Sequence, residues 1–173
     1  DQYAAYDGNN QNFQLNPNRI VAQQYTFRIP AYPSEAANKE ATPLGPIGVA
    51  LNGVAIYNQY AGPNQPLTFE IDSFDQYLGH PQQFGAYDYH QEPVYITDLV
   101  GREGLVGYLL DGFPVYGPSE NGVNVTNIDL DAYHGHLHAT QEYPDGIYHY
   151  HITAEDPYIN GNGFFGVAGT ISG

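Results

Sequence analysis

An all-β fold, mainly antiparallel and arranged as a sandwich or barrel of two similar halves with short helical turns, is the architecture this sequence predicts. Three observations carry it. Short apolar runs alternate with polar residues at the two-residue period of half-buried strands. The 20 Gly and 13 Pro among 173 residues punctuate those runs and leave little room for long helices. Finally, three blocks recur in one order at a nearly constant offset. Gly48-Val49-Ala50-Leu51-Asn52-Gly53-Val54-Ala55-Ile56-Tyr57 matches Gly107-Tyr108-Leu109-Leu110-Asp111-Gly112-Phe113-Pro114-Val115-Tyr116. Asp75-Gln76-Tyr77-Leu78-Gly79-His80 matches Asp131-Ala132-Tyr133-His134-Gly135-His136, and Gly85-Ala86-Tyr87-Asp88-Tyr89-His90 matches Gly146-Ile147-Tyr148-His149-Tyr150-His151. The chain therefore reads as one domain over 1–173, internally duplicated at about 45–92 and 105–153, with an N-terminal arm at 1–18. Each half is too short to bury a core alone, so the two should pack together.

The elements follow in order. Residues 1–18 are rich in Asn, Gln and Asp and have no apolar period, which makes them an arm or loop. Gln24–Ile29 reads as a strand closed by Pro30, and Ser34–Ala41 as a short helix capped by Ser34. Both Asn52-Gly53 and Asp111-Gly112 sit between apolar runs and predict hairpins with tight type I′ turns. Leu67, Phe69 and Ile71 alternate with Thr68, Glu70 and Asp72, the period of a half-buried strand. Asp72 or Ser73 would then cap a helical turn ended by Gly79, repeated at Asp129–Gly135.

Charge and composition narrow the partners. Nineteen acidic residues face four basic ones, a formal charge of −15, so no basic patch can be assembled for nucleic acid or an anionic membrane. No apolar run is long enough to span a bilayer. Cysteine and methionine are absent, which excludes disulfides, thiolate zinc sites, iron-sulfur clusters and a blue-copper site. The start at Asp1 without a methionine is expected of either a removed leader or a trimmed chain, and on the first reading the protein is secreted, periplasmic or at the cell surface. Asn124-Val125-Thr126 is an N-glycosylation sequon.

The chemistry lies in the histidines. Tyr148-His149-Tyr150-His151 in an extended strand projects both imidazoles to one face and both tyrosines to the other, where they pack into the core. His136 and His138 alternate in the same way. A hairpin with Glu142 opposite Ile147 pairs His138 with His151 and Thr140 with His149, placing His136, His138, His149 and His151 on one face. Several imidazoles crowded on a buried face are poorly satisfied without protons or a metal ion. The first half keeps His80 and His90 and carries Asp88 where the second has His149, a two-histidine, one-carboxylate composition used by iron and zinc sites. There Asp88 is either a ligand or an acceptor that orients a ligating imidazole. The matched pairs His80/His136 and His90/His151 are expected to converge near a pseudo-twofold axis, forming one shared site or two adjacent ones. His134, opposite Leu78 in the other copy, reads as a structural residue.

At these residues the sequence resembles the YHYH family, through Gly45 to about Gly166. The carrying segments are Gly79-His80-Pro81, Leu110-Asp111-Gly112-Phe113-Pro114-Val115-Tyr116-Gly117-Pro118, the Leu130–His136 block, Tyr148–His151 and Pro157-Tyr158-Ile159. The resemblance implies an exported protein with a metal site inferred from the motif and brings no general activity with it. Asp88 departs from the pattern, since a second Tyr-His-Tyr-His would place a histidine there.

Three functions remain open on these residues. One is a protein that stores or delivers a transition metal, copper first by intrinsic imidazole affinity, with zinc or iron behind it. Another is a mononuclear metalloenzyme, an oxidoreductase or a metal-dependent hydrolase of unknown substrate, which requires an open coordination position. The third is a non-catalytic, surface-associated structural module. Cupin-like and calcium-loop echoes around His136 and Asn127 fail on spacing and on the residues at key positions, and no nucleophile elbow or phosphate loop is present.

Overall fold

Every strand of the central sheet comes out of the three repeated blocks. The structure, a computed structural model, describes residues 6–173; the first five residues of the expected arm lie outside the described residues. The molecule is mainly β, as its alternating runs imply. Its sheet contains β1 (Gly48–Ala50), β2 (Ala55–Ile56), β3 (Gly79–Pro81) and β4 (Tyr87–Tyr89). After the helix α1 (Val94–Val100) come β5 (Leu105–Leu109), β6 (Pro114–Tyr116), β7 (Gly135–His138) and β8 (Ile147–His151). The spatial order is β7-β8-β6-β5-β1-β2-β4-β3. Exchanging each strand for its sequence match reverses that order onto itself. At the centre β1 and β5 pair antiparallel, with Val49 opposite Tyr108, Gly48 opposite Leu109 and Ala50 opposite Gly107. This is the pairing a twofold axis between Val49 and Tyr108 produces. Gly48 and Gly107 are required there, because a Cβ on either would collide with the backbone of the opposing strand.

The remaining pairs obey the same symmetry. Within each half the hairpins β1/β2 and β5/β6 are antiparallel, as are β3/β4 and β7/β8, whereas β2/β4 and β6/β8 are parallel. The tyrosines of the third block turn to the core face: Tyr89, Tyr148 and Tyr150 are buried among Ile56, Leu109, Val115 and Phe164. Tyr150 donates to Asp111 Oδ2 at 2.5 Å, and its match Tyr89 accepts from Asn52 at 3.1 Å, so the hairpin Asn or Asp anchors the same strand in both halves.

Several local expectations give way to longer-range packing. Ser34–Ala41 contains a strand, Glu35–Glu40, not a helix. It has only Ala36 to bury, too narrow a stripe for a helix, and pairs instead with Phe164–Gly166. The strand expected over Thr68–Asp72 is a chain of turns, with Ile71 N–H bonded to Leu67 C=O at 3.0 Å and a 3-10 turn at Ile71–Ser73. Leu67 is drawn into a small cluster with Ala61 and Phe74, against which Ile71 also packs, while Phe69 is left exposed. The 3-10 turn stops at Phe74, and in the second half the equivalent turn is Asn127–Asp129, capped by Thr126. The Asn52-Gly53 and Asp111-Gly112 loops are three-residue turns, not type I′: only the glycines have positive φ, +83° and +85°. Gly53 N–H closes on Ala50 C=O and Gly112 N–H on Leu109 C=O, the three-residue hairpin with a glycine bulge.

The helix α1 escaped the pattern reading. It runs from Pro93, a residue suited to a helix start, to Gly101 at φ +88°. The strand expected at Gln24–Ile29 is present as Thr26–Arg28, paired with Thr170–Ser172. Residues 6–18 form no helix or strand but lie against the first half, where Gln14 N–H bonds to Asp72 C=O at 2.8 Å. Among the described residues no helix is long and apolar enough to cross a membrane.

Candidate metal centres

The register of β7 and β8 decides which imidazoles meet. His136 lies opposite His149 and His138 opposite Ile147, four residues from the pairing of His138 with His151 that a tight turn would impose. Four is even, so all four histidines still stand on one face. His136, His149 and His151 converge there with Glu120, which enters from the ribbon Ser119–Glu120/Val123–Asn124. Glu120 Oε1 is 3.3 Å from His136 Nε2 and 3.6 Å from both His149 Nε2 and His151 Nε2. These are the edge lengths of a tetrahedron whose centre-to-donor bonds are about 2.0–2.2 Å.

The protons are placed by the backbone. His149 Nδ1 lies 2.9 Å from Ile147 C=O, His151 Nδ1 2.8 Å from Gly117 C=O and His136 Nδ1 3.3 Å from Asp129 C=O. A carbonyl only accepts, so each Nδ1 carries the hydrogen and each neutral ring turns the Nε2 lone pair inward. Nε2 of His136 and of His151 is buried without a hydrogen-bond partner. Burial holds the His149 imidazole down at about 4, which keeps that ring neutral at ordinary pH, and lowers His151 as well. Three lone pairs and a carboxylate oxygen facing one another repel unless a cation lies among them. His138, expected among the ligands, falls outside the group: its ring is over half exposed and its Nδ1 meets Glu120 Oε2 at 2.9 Å. It steadies the carboxylate from outside. His134 is turned away at φ +75° and bonds Thr153 Oγ1 at 2.9 Å, the structural role expected of it.

The first half assembles a related group from matched positions. His80 is opposite Asp88 across β3/β4, and His90 follows two residues on, so all three share a face. Glu70 joins His80 and His90 in a trio whose donor atoms all lie within 4.8 Å of one another, with Asp88 beside it. Asp88 Oδ1 lies 3.5 Å from His80 Nε2 and 3.4 Å from His90 Nε2, and Glu70 Oε2 lies 3.8 Å from each. His90 Nδ1 reaches Asn58 C=O at 2.6 Å, the counterpart of Gly117. His80 Nδ1 is engaged by Ser73 Oγ at 2.8 Å and by Asn16 Nδ2 at 3.5 Å, so the ring's Nε2 is the atom that faces the group. Asp88 thus stands on the Nε2 side, the ligand side, while the orienting acceptors occupy Nδ1. Burial pushes the Asp88 carboxyl well up, with Glu70 adding to it, and pulls His80 down to about 3 and His90 to about 4.

The Asp-x-Tyr-x-Gly-His block is a clasp. Asp131 Oδ1 accepts Tyr133 N–H at 2.9 Å, Gly135 N–H at 3.2 Å and the Tyr148 hydroxyl at 2.9 Å. Asp75 repeats this with Tyr77 and Gly79 N–H and the Tyr87 hydroxyl. The tyrosine crosses over the glycine so closely that a Cβ on Gly79 or Gly135 would strike its ring. One carboxylate thereby fixes the turn before each first histidine to the strand bearing the others.

The matched histidines do not converge. The two groups lie on strands at opposite ends of the sheet, and five strand spacings separate β4 from β8, roughly 24 Å. Glu70 and Glu120, absent from the sequence-derived set, come from unmatched places: Glu120 aligns with Ala61, and Glu70 sits at a turn no periodicity marks. No curated protein and no solved structure matches the chain. A family model described as YHYH protein matches residues 26–125 and 119–163. With both histidine groups and most of the sheet inside that span, the chain belongs to the YHYH family.

Proposed function

We propose that the second half holds a transition-metal ion through His136, His149, His151 and Glu120, and that the protein's role is to bind and retain that metal outside the cytoplasm. The observation that supports this is the inward convergence of three Nε2 atoms whose Nδ1 positions are all engaged by backbone carbonyls, with a carboxylate oxygen at 3.3–3.6 Å. An orienting acceptor on the second nitrogen is the usual surrounding of a ligating histidine. Four donors fill a tetrahedral shell, which favours retention over turnover. Copper leads by intrinsic affinity for imidazole, whereas the tetrahedral disposition of the donors favours zinc. The extracytoplasmic setting rests on the export common in the family.

Isothermal titration of chelator-stripped protein with Cu(II) and with Zn(II) tests the metal reading. Micromolar or tighter binding that is lost in His149→Ala/His151→Ala supports it. Affinity no better than millimolar for both ions, or unchanged in the double variant, refutes it. Fractionation of the producing cells tests the location.

A further inference from the structure

We propose that the first half carries a second metal centre of different donor chemistry, in which His80, His90 and Asp88 hold a zinc- or ferrous-type divalent ion whose remaining position faces a cleft and takes an oxygen-bearing neutral ligand. It is distinct from the second-half site and does not require that site to be filled.

Asp88 is the observation that demands an ion. Its residue is fully buried, and neither carboxylate oxygen has a hydrogen-bond partner. Its Oδ1 lies 3.4–3.5 Å from two Nε2 atoms, beyond the reach of an O–H···N bond but within the spacing of two donors sharing a metal. Both imidazoles are locked through Nδ1 by Ser73 and Asn58, so they cannot rotate to relieve the contact. A buried carboxylate without donors is among the costliest arrangements a fold tolerates, and a divalent cation at the common centre of Asp88, His80 and His90 removes that cost. Exchanging the second half's imidazole for an oxygen donor makes this set harder, which shifts its preference from copper toward zinc or ferrous iron.

The open position follows from the surroundings. Glu70 can reach the same ion as His80 and His90, yet it stands farther from the Nε2 atoms than Asp88, at 3.8 Å against 3.4–3.5 Å, and is partly exposed, so it borders the centre as a displaceable neighbour and leaves the remaining position to an incoming oxygen. The group forms part of the lining of a cleft of about 1020 Å³, against about 290 Å³ beside the second-half group. The cleft wall offers side-chain amides, among them Asn16 and Gln82, and aromatic rings such as Tyr57 and Phe69, but no Lys or Arg. Asp88, Glu70 and Asp72 together outweigh the two charges of the ion, and the Arg19 guanidinium at the rim is already engaged by the carbonyls of Asn16 and Asn18, so a phosphate or carboxylate is disfavoured. Hydroxyl- or amide-bearing neutral molecules suit such a wall, approaching the ion through an oxygen.

The test uses Co(II), whose visible spectrum reports coordination, on chelator-stripped full-length protein. Wild type should take two ions per chain by elemental analysis, and one in His80→Ala/His90→Ala and in His149→Ala/His151→Ala. Acetamide, added as the neutral oxygen ligand, should change the spectrum of wild type and of the His149/His151 variant and leave that of the His80/His90 variant unchanged. Asp88→Asn, nearly isosteric and expected to fold, should weaken first-half binding at least tenfold and leave the second ion in place. If His80→Ala/His90→Ala or Asp88→Asn keeps both ions at wild-type affinity, the first-half centre is refuted while the second-half reading stands. Two ions with an acetamide response that survives loss of His80 and His90 overturns the open position. One ion in wild type, lost with His149 and His151, also refutes the first-half centre and spares the second-half reading.

Discussion

Tyr150→Phe separates the two faces of the Tyr-His-Tyr-His strand. The hydroxyl donates to buried Asp111 at 2.5 Å and accepts Phe165 N–H at 2.8 Å, while Asp111 keeps Gly166 N–H at 2.9 Å and Phe113 N–H at 3.2 Å. Removing it deletes one hydrogen bond to a carboxylate, about 1.5–3 kcal/mol, and orphans a part-buried N–H, about 1–2 kcal/mol more. A loss of about 3–5 kcal/mol is a large share of an ordinary folding free energy of about 5–15 kcal/mol. For a chain of this size it lowers Tm by roughly 10 °C. Urea unfolding followed by circular dichroism reads that loss. The ring points away from His149 and His151, so Cu(II) affinity, measured by titration below the new melting temperature, should stay within about threefold. His149→Ala should do the reverse, abolishing tight binding at modest cost to the metal-free fold. A Tyr150→Phe protein that melts normally yet binds copper more than tenfold weaker would refute the division of the motif into structural tyrosines and functional histidines.

Further outcomes follow from the same geometry. Gly135→Ala places a Cβ about 2.5 Å from His149 C=O and the Tyr148 ring, so it should destabilise the fold and weaken metal binding together, read by thermal melting and titration. His138→Ala frees Glu120 from its 2.9 Å contact and should weaken second-half binding roughly 10- to 100-fold, less than His149→Ala does; equal losses would make His138 a ligand. In metal-free protein, burial holds His90 and His149 at about 4, below the 6.5 of an unfolded chain. The folded state therefore binds fewer protons, and their contribution is complete above pH 6.5 and lost as pH falls toward 4, by up to about 3 kcal/mol each. Asp88, raised by burial, acts in the opposite sense and reduces the net effect. The urea midpoint of chelator-treated protein should fall from pH 7 to 4.5, and a flat or rising midpoint would contradict the burial of neutral imidazoles.

What could be read in advance was what is local or repeated. Alternation put His149 and His151 on one face and the tyrosines on the other, and the repeated blocks marked every strand of the central sheet. The glutamates that join each group were illegible because they are supplied from a distance. Glu120 arrives on a two-stranded ribbon and Glu70 on a turn, each an ordinary acid among nineteen. Register was legible only to its parity: an even displacement kept the face, while the partner of His138 changed. Glu35–Glu40 shows the opposite failure, where short-range capping and composition point to a helix but pairing with Phe164–Gly166 decides.

The position of the twofold axis explains why the two groups differ. An axis between Val49 and Tyr108 brings matched residues together only on β1 and β5; the farther a strand lies from it, the farther apart its copies fall. The histidines ride on the strands at the sheet's two ends, so no geometry couples one group to the other, and a substitution in one leaves the second intact. The shared parts are those that fold the sheet: the Asp75 and Asp131 clasps, the crossing tyrosines and the carbonyl acceptors at Asn58 and Gly117. The parts that set metal chemistry, Asp88 against His149 and Glu70 against Glu120, lie beyond that constraint. A scaffold that holds two imidazoles alike in each half and varies the remaining donors presents two different donor sets from one repeated design.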